Sequence, residues 1–91
     1  MEDRLIDLKD TAAEMLSPDY KERFVAEYRQ LKIRLAKLYA FIAKIKAAKE
    51  KGEPEPRHDC PLWILEAQAE AMAKYQALLE IRAKDYEGVD L

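Results

Sequence analysis

The stretch FVAEYRQLKIRLAKLYAFIAKI, residues 24–45, decides the fold. Within it Phe24, Tyr28, Leu31, Leu35, Leu38, Ile42 and Ile45 recur at spacings of 4, 3, 4, 3, 4 and 3. A helix turns once every 3.6 residues, so this alternation holds the seven side chains on one stripe, the pattern of coiled-coil-like packing. A half-buried strand would alternate with period two instead. Upstream, Ser17-Pro18-Asp19 reads as a helix start, with Ser as N-cap, Pro in the first helical position and Asp at the positive end of the dipole. Downstream, Gly52 with Pro54 and Pro56 predicts a stop near Lys51. A helix over 18–51 would be on the order of 45–50 Å long. Nothing that long is stable alone in a chain this size, so a second helix has to lie beside it.

That second helix is predicted over 61–86, after a connection spanning 52–60, with Asp59 or Cys60 as its cap, Pro61 in its first turn and Gly88 as its stop. Its apolar residues, among them Ile64, Leu65, Met72, Tyr75, Leu79 and Tyr86, spread over an arc of roughly 140°. One neighbouring helix needs less, so the width calls for a further partner. A short helix is predicted over 3–16, with Asp3 as N-cap and Leu5, Leu8, Ala12, Met15 and Leu16 on its inner face. It is too short to persist in water without docking. The expected fold is all-α: one domain over 1–91, a short N-terminal helix followed by a long antiparallel helical hairpin, assembled into a homo-oligomer.

Composition agrees. Hydrophobic residues make up 49% and charged residues 37% of the chain, which leaves little for the turns a sheet protein needs. The single cysteine excludes an intramolecular disulfide. No signal peptide and no apolar run of membrane-spanning length is evident, so a cytoplasmic location without a membrane partner is expected. Charge is segregated: residues 23–52 hold nine bases and two acids, whereas 1–22 hold seven acids and three bases, and 53–91 hold nine acids and four bases. Such a pattern serves either a basic helix packed between acidic neighbours or a basic face that meets an anion.

A second seam on the long helix carries the chemistry. Arg23, Glu27, Gln30, Arg34, Lys37, Phe41 and Lys44 repeat the 4, 3 alternation about 90° from the hydrophobic stripe. Arg and Lys at that spacing can hold phosphates, and Phe41 or Tyr28 can stack on a base. A solvated flank whose one Phe packs on a neighbour explains the same residues. Gln68 and Arg82 interrupt the apolar arc of the last helix, and Gln68 can pair with its symmetry mate, meet a ligand or face water. His58 and Cys60 lie two residues apart, but with no second His or Cys they do not make a metal site. No paired carboxylates, nucleophile–base pair or phosphate loop is present, so no catalytic residue, cofactor or metal is expected. Acidic residues at the start of the long helix disfavour nucleic acid.

The run from Ser17 to Phe24, with Ala26-Glu27-Tyr28 and Gln30, resembles a group of short phage and prophage helical proteins that includes relatives from crAss-like phages. Cys60-Pro61, Leu65, Gln68, Met72, Tyr75, Leu79 and Arg82-Ala83 look like their second half. The resemblance covers about 17–87 and implies a phage accessory protein made in the bacterial cytoplasm. By architecture alone the chain is also similar to phage immune-signal sponges of the anti-CBASS and anti-Thoeris type. The expected function is non-catalytic sequestration of a phosphorylated nucleotide immune signal, with Arg23, Arg34 and Lys37 on phosphates, Tyr28 or Phe41 on a base, and Gln30 or Gln68 on its edge. The alternative is a helical interaction protein for a host or phage protein, or a structural phage component.

Overall fold

The computed structural model describes residues 8–91. Three helices form, α1 Leu8–Met15, α2 Tyr20–Lys51 and α3 Leu62–Ile81, and α3 runs on into a π-helical turn, Arg82–Glu87. No strand is present among the described residues. Asp3 and Leu5, predicted as cap and core of the first helix, lie outside them. The molecule is 49 Å along its longest axis, close to the roughly 48 Å that 32 helical residues span. The length of α2 therefore sets the length of the whole.

The seam of α2 is its buried face. Phe24, Tyr28, Leu31, Leu35, Ile42 and Ile45 are all buried, and Leu38 is half-buried. Phe24, Tyr28 and Leu31, early in α2, cluster with Leu79 and Ala83, late in the chain. Leu35 and Ile42, further along α2, cluster with Ala69 and draw in Leu62 and Leu65 from the start of α3. Contacts thus run forward on one helix and backward on the other, and a Lys46–Glu66 ion pair of 2.6 Å repeats that sense near the far end.

Two boundaries differ from expectation, each for a local reason. Asp19, not Ser17, is the N-cap of α2: its carboxylate accepts from the Lys21 amide at 3.0 Å. Ser17 instead accepts the Asp19 amide and donates to Glu22, bracing the turn from outside. At α3, Pro61 occupies the cap position and no side chain caps the helix. Asp59 and Cys60 are not its caps; the Cys60 carbonyl accepts from the His58 ring at 2.7 Å. The far end stops where predicted, at Gly88 in the left-handed region, after α3 widens into the π-helical turn and the Val89 amide reaches back to the Ala83 carbonyl.

The inner face of α1 is also rotated from the predicted one. Thr11 is 1% exposed, whereas Ala12 is exposed and Leu16, past the helix end, is 86% exposed. Two polar contacts fix this rotation: Gln30 donates to the Thr11 hydroxyl at 2.9 Å, and Arg29 pairs with Glu14 at 3.3 Å. A buried hydroxyl that is hydrogen-bonded costs little, so α1 can present Thr11 inward.

Gly52 ends α2 in the left-handed region at φ 67°. Nothing lies within 4 Å of where a Cβ would stand, so Gly52→Ala tests backbone conformation alone. It is expected to cost about 1–2 kcal/mol, read as a fall in Tm of roughly 4–8 °C per kcal/mol. An unchanged melting curve would show that the left-handed turn is not needed to end the helix.

Candidate functional site

The predicted site residues fall into two groups. Three of them are committed to structure. Tyr28 is 8% exposed, and its hydroxyl donates to Glu80 at 2.6 Å. Burial first, and then that bond, push the phenol above its ordinary range, while the bond holds the Glu80 carboxyl below its own. A ring so enclosed has no free face, so Tyr28 belongs to the core and not to a stacking platform. Gln30 spends its amide on Thr11 and so anchors α1. Arg23 donates to the Ser17 carbonyl at 2.6 Å, closing the turn between α1 and α2.

The others face outward. Arg34 and Lys37 are exposed, one turn apart, and Phe41 follows one turn later, half-buried. Phe41 meets the His58 ring edge-on, with centroids 6.3 Å apart and planes at 83°. Lys44 continues the strip, also exposed. Gln68 is exposed on α3 and touches only the Met72 sulfur at 3.8 Å. The structure therefore brings Arg34, Lys37 and Phe41 onto one flank and leaves Gln68 on another helix.

The connection next to this flank is pinned by its own charges. Glu55 accepts from Lys49 at 2.9 Å and from His58 at 3.0 Å. The second nitrogen of the His58 ring donates to the Cys60 carbonyl, so both ring nitrogens act as donors, which suits the imidazolium. Glu55, and after it the Cys60 carbonyl, raise the His58 pKa above 6.5; His58, and after it Lys49, lower the Glu55 pKa below 4.5. The carboxylate's contribution is present above 4.5 and is lost as pH falls through its lower folded value. The imidazolium's contribution is complete below 6.5 and is lost as pH rises through its higher folded value. The clamp is thus whole between 4.5 and 6.5. An NMR titration of the His58 ring should show a midpoint above 6.5 that returns toward 6.5 in Glu55→Gln. A native midpoint at or below the ordinary value would refute the clamp.

One concave feature went unmarked in the sequence. Between α2 and α3 lies an open groove of about 370 Å³, floored by Ala36 and Ala73 and edged by Lys32, Tyr39, Gln76 and Glu80. Tyr39 is 50% exposed there. The available signal was a pair of matched runs, Lys32, Ala36, Tyr39 and Ala73, Gln76, Glu80, each at helical spacing with alanines where the helices approach. The groove carries one charge of each sign, Lys32 and Glu80. Glu80 is kept ionised by the Tyr28 hydroxyl and by Gln76 and stands at its edge.

The π-helical turn is tied to the start of α2 by charge. The Arg82 guanidinium lies 4.7 Å over the Phe24 ring and pairs with Glu87 at 3.0 Å, and Tyr20 donates to the other Glu87 oxygen at 3.2 Å. Arg82 interrupts the apolar arc because it covers an aromatic.

Among the described residues no helix is long and apolar enough to cross a membrane, and no cluster of metal-ligating side chains is found. Neither the curated proteins nor the solved structures contain a significant match to the chain. The Sequestin family model, however, matches residues 18–85. That span takes in the α2 cap, the whole seam, the cationic flank and all of α3, and the chain belongs to the Sequestin family.

Proposed function

We propose that this protein is a non-catalytic sponge that binds and sequesters a phosphorylated nucleotide signal, acting as a homo-oligomer of helical hairpins in the cytoplasm of a phage-infected bacterium. Membership of a family whose name denotes sequestration carries the reading. The exposed flank of α2 supplies chemistry for it. Arg34 and Lys37 offer cations one turn apart, matched to phosphate oxygens, and Phe41 offers an aromatic edge beside them. The α2–α3 groove sets Glu80 beside Lys32, whereas the strip Arg34, Lys37 and Lys44 carries cations alone, so the flank is the better phosphate surface. The α2–α3 groove of a single chain is open, whereas ligand sites bury most of a small ligand. A second subunit is therefore part of the reading.

The direct test is native mass spectrometry of protein purified from infected bacteria in which a nucleotide-signalling defence is active. The expected spectrum is an oligomer carrying a discrete added mass of nucleotide size. A bare protein across several such defences would move the weight to a helical interaction protein. The uncovered apolar residues of α3, Trp63 and Leu78 among them, favour that second reading.

A further inference from the structure

α3 is apolar on both sides, and only one side is covered. Leu79 and Ala83 are buried against α2, but Trp63 is 66% exposed, Leu78 50% and Ile81 49%. The outward strip of a 20-residue helix is on the order of 30 Å long and one helix wide, about 300 Å² in projection. The largest apolar patch of a typical monomer is of that order and is often functional.

The outermost line of this strip is Trp63, Ala67, Glu70, Lys74, Ala77 and Ile81, at spacings of 4, 3, 4, 3 and 4. The spacing reads the same in both directions about Met72. Its only charges are Glu70 and Lys74, both exposed, and neither forms an ion pair among the described residues. Other charges of α3 and its π-helical turn are paired elsewhere: Glu66 with Lys46, Glu80 with Tyr28, and Arg82 with Glu87.

We infer that this face binds a second copy of the chain, antiparallel, about a two-fold axis that crosses the outward strip between Glu70 and Lys74, at the level of Met72. In that arrangement Glu70 meets Lys74 of the second copy, and the pair occurs twice. Ala67 meets Ala77, which lets the backbones approach, and Trp63 meets Ile81 at each end. A parallel, in-register copy would set Glu70 against Glu70 and Lys74 against Lys74, so charge selects the antiparallel form. An isologous contact of this kind closes on itself and leaves no open end for further growth. The inference rests on the assembly part of the proposed function and not on its ligand.

Sedimentation equilibrium of the full chain, without ligand, tests it. The native protein should form dimers. Glu70→Lys alone and Lys74→Glu alone each place like charges opposite one another twice and should weaken dimerisation by at least about tenfold. The double swap restores opposite charges and should return the dimer to near-native strength. Both positions are exposed, so helix content by circular dichroism should stay constant throughout. The lone tryptophan, Trp63, should shift its emission to the blue as dimer forms. A chain that stays monomeric at every attainable concentration overturns the inference. So does a dimer that ignores the single swaps or is not rescued by the double one. Ligand uptake by an oligomer that ignores the swaps would leave the sponge reading standing and remove only this interface.

Discussion

Leu79→Ala should be the most damaging single truncation in the molecule, at about 2–5 kcal/mol. Leu79 is 1% exposed and sits where Phe24, Tyr28, Leu31 and Ala83 converge. A 91-residue domain has roughly 5–14 kcal/mol in total, and a thin helical molecule with few fully buried side chains belongs toward the lower end. The loss therefore removes a large share of the whole. Its neighbour supplies the control: Leu78 is 50% exposed, so Leu78→Ala should cost less than about 1 kcal/mol in the monomer. Urea unfolding of both variants, at concentrations dilute enough to exclude self-association, measures the difference. The two side chains differ by 100° around the helix. Were Leu78→Ala the more destabilising of the pair, the rotation of α3 against α2 described above would be wrong, and with it the outward placement of Glu70 and Lys74.

The rotation of α2 was legible in the sequence because one signal dominates there. Seven apolar residues at strict 4, 3 spacing leave a helix a single way to turn, and six of the seven are buried. α3 was legible only as a helix. It is apolar nearly all round, so periodicity names an arc without saying which part α2 covers: Leu79 and Ala83 went inside, Tyr75 and Leu78 did not. The rotation of α1 was hidden for the opposite reason. Its apolar residues are few, and a hydrogen bond from Gln30 to Thr11 decides the matter. Long-range polar pairs of that sort leave no periodic trace. The same holds for Tyr28, which lies on the hydrophobic stripe and beside the basic one. Only the packed structure, with the ring enclosed and its hydroxyl on Glu80, assigns it to the first. The cap of α2 turned on two good cap residues on either side of Pro18, Ser17 and Asp19, between which sequence preference does not choose.

Arg34→Glu is expected to abolish ligand uptake while leaving fold and assembly as they are. Arg34 is exposed, and the described contacts of α1, α3 and the connection do not use its guanidinium, so its replacement disturbs no packing. A charge-assisted hydrogen bond contributes about 1.5–3 kcal/mol, which alone corresponds to roughly tenfold or more in affinity. Reversal adds repulsion between the new carboxylate and the phosphate, so the loss should exceed that of Arg34→Ala. Lys32→Glu is the matched control. It changes the same charge on the same helix, but in the groove beside Glu80 instead of on the flank beside Lys37 and Phe41. Isothermal titration with ADP-ribose and with a cyclic dinucleotide as defined probes, alongside nucleotide extracts from infected cells, would read both variants. Loss of uptake in Arg34→Glu with retention in Lys32→Glu places the phosphate on the flank. The reverse result would move the site into the α2–α3 groove, where Tyr39 would take the stacking role and Gln76 the hydrogen bond. It would also mean that Lys32, which lines the same groove, offsets the charge of Glu80 there.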